Sequence, residues 1–467
     1  MSLLKTVQQI APYLERWLEY GRDFQRIPGV QVAVRVGDEL AASFALGQAN
    51  EDTGEALTPR HLFRIASHSK TFTATAVFQL IEAGKLRLDD GAAHWLPELE
   101  GSPAAHMTVR ALLGHQSGIN RDGADSDYWQ QMHAFPDRQT LLEFARADAV
   151  FVPDQHFKYS NIGYGLLGLI VEAAAGQSYG DYVQQHITGP LGLTDLGAEL
   201  PPEREAELAT GHSARLAGND PRRTLPSSDT RALAAATGFY GTAEALTAYW
   251  ARHALGREGL ISDASKRLMG RRESEIIKPN KRGYGLGLIL DDIGGRGLVG
   301  HSGGFPGHIT QSWLDPKTGL SISVLTNTGG GPATEWAGNL IRLIDLAHKN
   351  AEKPAETADA AHDLDSFTGR FANNWGVFDI ANLGGRLVAL TPLGDPTATA
   401  TELTVQDANT LSSPPESGFG SVGEPYHFQR AEDGTGDGTG KGEIQWVRQG
   451  GGKSWPLTAY RAQAGLD

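Results

Sequence analysis

The hydrophobic pattern of this chain changes from strand-like to helical and back within its first 350 residues. Segments 30–36 and 42–47 alternate apolar and polar residues and predict two strands, with a turn at Gly37-Asp38 between them. Before them, an amphipathic helix is predicted from apolar residues at helical spacing, namely Val7, Ile10, Leu14 and Trp17.

From about residue 67 to residue 280 the pattern is mainly helical. One helix is predicted from about Ser69 to Glu82, and Gly84 ends it. Another helix follows Asn161 and stops near Gly176.

Strand patterns return late in the chain, over 284–290, 297–301, 309–315 and 320–326. A helix over roughly 333–348 follows them. Because strands lie on both sides of the helical region, they are expected to join in one sheet. We therefore predict an α/β fold, a mostly antiparallel sheet flanked by helices with an inserted helical subdomain, and a site in the cleft between sheet and insertion.

The last hundred residues have a different character. Residues 351–362 are polar, rich in alanine and contain a proline, which is typical of a linker. From 363 to 467, short alternating segments between glycine-rich turns predict a small β-barrel. The predicted domains are thus 1–350, a linker at 351–362, and a C-terminal barrel at 363–467.

Charge and composition exclude several classes of function. The 467 residues include 41 Lys and Arg against 55 Asp and Glu, a net charge of −14, which repels phosphate backbones. No basic patch offsets that charge, so no nucleic-acid partner is expected. No run of about 20 apolar residues is present, so no membrane span is expected.

The chain has no cysteine, which removes thiol nucleophiles, disulfides and thiolate metal sites. None of its 15 histidines falls in a His-Glu-x-x-His pattern, so no metal and no other cofactor are expected. The N-terminal residues turn polar too soon for a signal peptide, which predicts a cytoplasmic protein, or a periplasmic or secreted one if a leader was removed. The pattern does not define an oligomeric state.

Three short motifs carry candidate chemistry. The first is Ser-x-x-Lys, from Ser67 to Lys70, at the predicted start of a helix. A helix start places the lysine one turn after the serine and directs backbone N–H groups toward the hydroxyl. A serine hydroxyl needs a base to become a nucleophile, and an amine can act as that base only if its pKa falls.

The second motif is Tyr-x-Asn, formed by Tyr159 and Asn161. The phenol is a second candidate base, in the positive field of Lys70, and the sequence leaves open which of the two accepts the proton. The Asn161 amide can bind a substrate amide through both its donor and its acceptor. The alternative is that this segment is only a turn and N-cap for the next helix.

The third motif is His-x-Gly, formed by His301 and Gly303. The same residues complete Gly-x-Ser-x-Gly around Ser302, a pattern shared with the nucleophile elbow of α/β-hydrolases. The elbow requires a helix after the serine, whereas glycines and a proline follow here, and these cannot open a stable helix. Ser302 is therefore not expected to be a nucleophile.

Together and in this order, the three motifs resemble those of the serine β-lactamase and penicillin-binding protein superfamily, in its class C-like branch. Segments 107–119, 188–197, 236–250 and 302–327 are also similar to that family in character. The resemblance implies that Ser67 is acylated and that its N–H and the N–H of Gly304 form an oxyanion hole. It also implies a substrate subsite made by Asn161, His301, Gly303 and Gly304.

Many relatives have lysine where His301 stands, and His-x-Gly resembles the D-aminopeptidases and esterases of the family. The resemblance predicts a serine hydrolase acting on a small molecule or short peptide, foremost D-amino-acid-containing peptides or amides. The alternatives are a carboxylesterase, a β-lactamase, and a penicillin- or peptide-binding sensor that does not turn over. It also implies a lipocalin-like barrel whose loops at 433–442 or 418–426 reach over the cleft.

Overall fold

The computed structural model describes residues 1–147, 149–276, 282–354, 362–415, 423–431 and 442–466. Contacts divide the chain into two compact units. One unit is Arg26–Ala337, and the other combines Met1–Gln25 with Gly338–Asp467. The domain boundaries predicted at 350 and 363 stay predictions, and most of the predicted linker lies outside the described residues.

The helices largely follow the predicted apolar spacing. The α-helices are α1 (Leu3–Gln25), α2 (Ser69–Glu82), α3 (Ala92–Trp95), α4 (Val109–Leu113), α5 (Arg138–Arg146), α6 (Asn161–Ala175), α7 (Tyr179–Val183), α8 (Ala243–Ala251), α9 (Asp263–Met269), α10 (Ala333–Glu352), α11 (Pro396–Thr399) and α12 (Leu457–Ala464). Short 3-10 segments span Ala66–His68, Pro97–Leu99, Pro103–His106, Asp127–Gln130, Gly189–Leu191, Pro202–Glu207, Arg231–Leu233 and Leu364–Phe367, and π-helical turns span Gln184–Thr188 and Ala234–Gly238.

The strands fall into two groups. Those of the Arg26–Ala337 unit are β1 (Gly29–Val36), β2 (Glu39–Asn50), β3 (Glu55–Ala56), β4 (Phe63–Arg64), β5 (Leu196–Gly197), β6 (Gly211–His212), β7 (Thr224–Leu225), β8 (Tyr240–Gly241), β9 (Ser274–Ile276), β10 (Arg282–Tyr284), β11 (Ile289–Ile293), β12 (Arg296–Phe305), β13 (His308–Leu314) and β14 (Leu320–Thr326). Those of the other unit are β15 (Gly369–Asn373), β16 (Gly376–Asn382), β17 (Leu387–Leu390), β18 (Thr401–Asp407), β19 (Thr410–Ser412), β20 (Tyr426–Arg430), β21 (Ile444–Gln449) and β22 (Gly452–Pro456).

Nine strands within the described ranges form one antiparallel sheet, in the order β3-β2-β1-β14-β13-β12-β11-β10-β9. The N-terminal strand β1 pairs with the late strand β14 in register, for example Val32 with Val324. Every residue of β14 is buried, as expected for a central strand covered on both faces. The predicted fold class, an antiparallel sheet flanked by helices with helices inserted between its first and last strands, is confirmed.

The single strand predicted over 284–290 is wrong, because the chain breaks there into β10 and β11. Gly287 adopts φ +83°, a backbone conformation that residues with a side chain rarely adopt. An added Cβ there, or at Gly285, would collide with neighbouring atoms, the side chain of Ala74 and the backbone of Met269 respectively. Gly287 therefore lets the chain pass close to α2, and Gly285 lets it pass close to the end of α9.

Helix α2 is the centre of the helical region and is almost entirely buried. Phe72 stacks between Phe239 and Tyr249, with ring centroids 4.3 and 3.9 Å apart. Offset aromatic stacking of this kind adds to the apolar area removed from water. The first turn of α2 is therefore held firmly. It carries Lys70 of the Ser-x-x-Lys motif, and Ser67 lies in the 3-10 turn just before it.

In the other unit, the described strands β15 to β22 close into an antiparallel barrel. Its interior is filled by apolar side chains, among them Phe371, Ile380 and Val405. A small eight-stranded barrel has an interior just wide enough for side chains, so this one is a packed core. The loops predicted at 433–442 and 418–426 fall largely on residues outside those described.

Helix α1 belongs to the barrel unit through a buried charge cluster. Tyr13 Oη donates to Asp379 Oδ2 at 3.0 Å, and Arg370 binds both oxygens of the same carboxylate at 2.8 and 2.9 Å. The guanidinium also lies over the ring of Tyr20, 4.6 Å from its centroid. Because Asp379 is fully buried, these partners take the place of water around its carboxylate.

Candidate active site

Ser67 lies in a tight turn between β4 and α2. Ala66, just before it, takes φ +48°, which is unusual for a residue with a side chain. Ser69 holds this turn, since its hydroxyl donates to Ala66 O at 2.6 Å and accepts from Phe239 N–H at 3.0 Å. The turn places Ser67 at the start of the helical segment, where backbone N–H groups have no partner within the helix.

Lys70 is buried and its amine has three close neighbours. Its Nζ lies 2.7 Å from Asn161 Oδ1, 2.7 Å from Ala236 O and 3.2 Å from Ser67 Oγ. The amide and carbonyl oxygens can only accept hydrogen bonds, so they use two N–H groups of the amine. In the neutral amine, the remaining position is a lone pair that faces the serine hydroxyl.

Burial shifts the ionisation of this lysine. Loss of solvent lowers the pKa of Lys70 well below its ordinary value, and the charge of Arg121 lowers it further. The carboxylate of Asp122 opposes both effects and raises the pKa. The amine can therefore be neutral, and able to accept a proton, at a pH where an exposed lysine is fully charged.

Tyr159 reaches the same serine from the turn just before α6. Its Oη lies 2.8 Å from Ser67 Oγ, and Lys70 Nζ lies 4.8 Å from the centroid of its ring. Burial raises the pKa of Tyr159 above its ordinary value, and this effect exceeds the lowering by the bond to Ser67. The group is thus a phenol that donates its proton toward Ser67 Oγ.

Asn161 is the first residue of α6, and both ends of its amide are engaged within the protein. Its Oδ1 accepts from Lys70 Nζ, and its Nδ2 donates to Asp122 Oδ1 at 2.6 Å. The predicted N-cap is also present, but it is Ser160, whose hydroxyl accepts from Gly163 N–H at 2.9 Å. The role predicted for Asn161, binding a substrate through donor and acceptor together, is left as a prediction.

His301 lies in β12 and is only 1% exposed. Its Nδ1 lies 2.6 Å from Ser302 O and its Nε2 lies 3.1 Å from Tyr284 Oη. A carbonyl oxygen requires a proton on Nδ1, which leaves Nε2 to accept from the phenol. Burial and the neighbouring Lys70 lower the pKa of His301 well below its ordinary value, so the ring is neutral.

Gly303 and Gly304 lie in β12 beside the serine turn. A Cβ at Gly303 would overlap the backbone oxygen of Ile65. The strand therefore approaches the turn more closely than a residue with a side chain at position 303 would allow. In the β12–β13 hairpin Phe305 pairs with His308, and antiparallel alternation then directs the Gly304 N–H away from β13.

Strand β11 pairs with β12 only as far as Gly300. The edge of β12 at Gly304 therefore has no partner from β11, and its N–H can meet a ligand. Ser302 lies within the strand and no helix follows it, as the sequence predicts.

Two contributing residues have no motif of their own in the sequence. Asp122 binds the Asn161 amide, and Tyr284 binds His301. The resemblance over 107–119 predicts that His115 has a structural role in a turn, and the structure places its ring 4.2 Å from that of Tyr159. His115 Nδ1 accepts from Ser160 N–H at 3.1 Å, which fixes the turn that carries Tyr159.

Among the residues that the structure describes, no group of three or more His, Asp or Glu side chains is arranged to hold a metal ion. Within the same ranges, every helix is too short or too polar to cross a lipid bilayer.

Comparisons with known proteins show which proteins this chain resembles. The family model Beta-lactamase matches residues 14–344. Penicillin-binding protein 4 of Amycolatopsis lactamdurans is 31% identical over 348 residues, 69% of this chain and 86% of that protein. Esterase EstB of Burkholderia gladioli is 30% identical over 365 residues, 67% of this chain and 90% of the esterase.

A solved structure of similar fold is the D-amino acid amidase from Ochrobactrum anthropi SV3 complexed with L-phenylalanine amide. It is 26% identical with a TM-score of 0.60, and the match covers 75% of this chain and 99% of the amidase. The Ser-x-x-Lys and Tyr-x-Asn motifs meet at Ser67 Oγ, and the His-x-Gly strand lies against the serine turn. The matches show that the chain belongs to the β-lactamase family of serine hydrolases.

Proposed function

We propose that this protein hydrolyses amides or short peptides of D-amino acids through an acyl-enzyme on Ser67. The observation that carries the proposal is the pair of contacts on Ser67 Oγ, from Lys70 Nζ at 3.2 Å and Tyr159 Oη at 2.8 Å. A proton acceptor and a proton donor thus meet at one hydroxyl, which is the arrangement that acyl transfer requires.

In the proposed reaction Lys70 accepts the proton of Ser67 as Oγ attacks the substrate carbonyl carbon. The N–H groups of Ser67 and Gly304 then stabilise the negative oxygen of the tetrahedral intermediate. Tyr159 donates its proton to the leaving nitrogen, and the Lys70 ammonium then returns a proton to the Tyr159 oxygen, so that both groups regain their starting states. Water next attacks the ester carbonyl, gives one proton to Lys70, and releases the acid as Ser67 regains its proton.

The roles of the two candidate bases follow from their surroundings. Lys70 has a lowered pKa and a lone pair facing the serine, which suits a proton acceptor. Tyr159 has a raised pKa, which suits a phenol that gives a proton to a poor leaving group such as an amine. This division favours amide cleavage, where protonation of the leaving nitrogen is required.

The substrate class follows from the neutral ring of His301. Penicillins and peptides with a free C-terminal carboxylate carry a negative charge near the scissile bond, and a neutral buried imidazole offers that charge no partner. The similarity to a D-amino acid amidase supports an uncharged amide of a D-amino acid instead. We propose that His301 supports β12 from inside while Gly303 and Gly304 contact the substrate with their backbone.

An esterase is the second candidate. The similarity to Esterase EstB, which extends over 90% of that enzyme, favours it. An alkoxide or phenolate leaving group depends less on proton donation, so the same Ser67 and Lys70 suffice for ester cleavage.

The test compares three kinds of chromogenic substrate on the purified protein: D- and L-phenylalanine p-nitroanilide, p-nitrophenyl butyrate, and the cephalosporin nitrocefin. We expect the D-anilide to be cleaved faster than its L-enantiomer, and nitrocefin to be the poorest. A protein that cleaves only the ester is an esterase, and an adduct with nitrocefin that persists for hours identifies a sensor. Retained turnover in S67A contradicts a Ser67 acyl-enzyme altogether.

A further inference from the structure

Asp122, which lies outside the three motifs, is linked to Lys70 through the side-chain amide of Asn161. Asp122 has a largely buried side chain, and its Oδ1 accepts from Asn161 Nδ2 at 2.6 Å. The same oxygen accepts from Trp129 Nε1 at 3.1 Å, and Oδ2 lies 3.0 Å from Arg121 Nε. Tyr128 Oη also donates to the backbone oxygen of Asp122 at 2.7 Å.

These bonds fix the carboxylate from several directions. The indole and phenol come from the 3-10 segment Asp127–Gln130, whereas Arg121 precedes Asp122 in the chain. A carboxylate with its lone pairs so engaged keeps one orientation, and an ionised carboxylate can only accept hydrogen bonds. It can therefore face the NH₂ end of an amide but repels the oxygen end.

We infer that Asp122 is a positioning residue for acylation, which fixes the Asn161 amide so that Oδ1 faces Lys70 and the lone pair of the amine stays on Ser67. The inference rests on the proposed function of Ser67 and Lys70. It assigns Asn161 to the orientation of the base, since both ends of its amide are already bonded within the protein.

The orientation of this amide matters because its two ends have opposite effects on the base. With Oδ1 toward Lys70, Asn161 uses one N–H of the amine and leaves the lone pair free. If the amide turned over, its NH₂ would donate to that lone pair and compete with the Ser67 hydroxyl. Its oxygen would then face the oxygen of Asp122, and this repulsion excludes the turned state.

Asp122 also acts on Lys70 through its charge. Its carboxylate raises the pKa of Lys70, so its removal lowers that pKa further. Because the proposed base is the neutral amine, a lower pKa moves the acidic limb of the rate profile to lower pH. Within the described ranges, the other titratable and charged groups around the amine include Tyr159, Tyr164, His115, His301 and Arg121.

The test measures the second-order rate of labelling by a fluorophosphonate probe from pH 5 to pH 10, which reports on Ser67 without a known substrate. The variant D122N keeps the size of the side chain but offers an NH₂ that allows the Asn161 amide to turn over. We expect the plateau rate to fall about tenfold or more, as for a misoriented catalytic group. We also expect the acidic limb to move to lower pH.

The matched control is D125N, in the same loop. Asp125 is exposed and bonds to Asp127 N–H and His133, so the same chemical change there leaves Asn161 untouched. Its plateau and its acidic limb are expected to equal those of the unchanged protein. W129F removes one anchor of the Asp122 carboxylate and is expected to lower the plateau in the same direction, by less than D122N does.

A double-mutant cycle separates positioning from general structure. In the N161A background, D122N is expected to cause no further fall of the plateau, because the amide through which it acts is gone. A plateau within twofold of the unchanged protein in D122N, or an equal fall with and without Asn161, overturns the inference. Labelling that persists in S67A overturns the proposed function instead, and the two failures are thus distinct.

Discussion

The contact between Gly303 and the serine turn gives a quantitative test of the site geometry. In G303A the new Cβ falls well inside 3.0 Å of the Ile65 backbone oxygen and the Thr310 hydroxyl, a separation that Cβ atoms essentially never show. A normal C···O contact is about 3.3 Å, so β12 and the turn must separate by roughly 1 Å. Ile65 stands two residues before Ser67, so the nucleophile and the Gly304 N–H move apart.

A displacement of that size in a catalytic arrangement reduces the rate about 100-fold, and overpacking a filled site costs about 1–3 kcal/mol of unfolding free energy. We expect both effects in G303A, measured as kcat/KM on p-nitrophenyl butyrate and by urea denaturation. The control is G297A in the same strand, where a Cβ meets nothing within 4 Å. If G303A keeps the activity and stability of G297A, the close approach of β12 to the serine turn is wrong.

Three further outcomes follow from the same structure. Y159F removes the hydroxyl 2.8 Å from Ser67 Oγ. Because an amine leaving group needs a proton, kcat is expected to fall about 100-fold or more on an anilide but far less on a nitrophenyl ester. Equal losses on the two substrates contradict a proton-donor role. The pKa of buried His68 is lowered to about 4, so as the pH falls below 6.5 the unfolded chain binds a proton at His68 before the folded protein does. The free energy of unfolding, measured by urea denaturation, is therefore expected to fall by up to about 1.4 kcal/mol per pH unit for such a histidine. A flat profile from pH 7 to pH 5 contradicts this. D379A removes the buried partner of Arg370 and is expected to lower the unfolding free energy of the barrel unit by about 3–5 kcal/mol. Y13F removes one hydrogen bond to the same carboxylate and is expected to cost about 1.5–3 kcal/mol. A D379A protein as stable as Y13F in urea denaturation contradicts the role given to this charge cluster.

The sequence predicts those features that depend on local spacing. The serine and lysine of the first motif meet because residues three apart lie on one face of a helix, and that relation holds whatever surrounds it. Apolar alternation likewise predicts β1, β13 and β14, each of which lies inside the sheet with a paired strand on both sides. The break between β10 and β11 is not predicted by this pattern, because it arises from close approaches to α2 at Gly287 and to the end of α9 at Gly285.

The protonation states of the site depend on partners far along the chain. Lys70 donates to Ala236 O, 166 residues away, and this contact leaves its lone pair on the serine. The pKa of His301 is lowered because the ring is buried and lies near Lys70. Its partner Tyr284 belongs to no motif in the sequence. The joining of α1 to the barrel unit depends in the same way on Asp379 and Arg370, which periodicity alone does not connect to Tyr13.

Mass spectrometry of the labelled protein tests the central claim most directly. After a fluorophosphonate reaction and proteolysis, one adduct is expected on the peptide that contains Ser67, and none on the peptide that contains Ser302. Labelling is expected to be absent in S67A and at least about 100-fold slower in K70M, which lacks the proton acceptor. An adduct on another residue, or unchanged labelling of Ser67 without the lysine, contradicts the account.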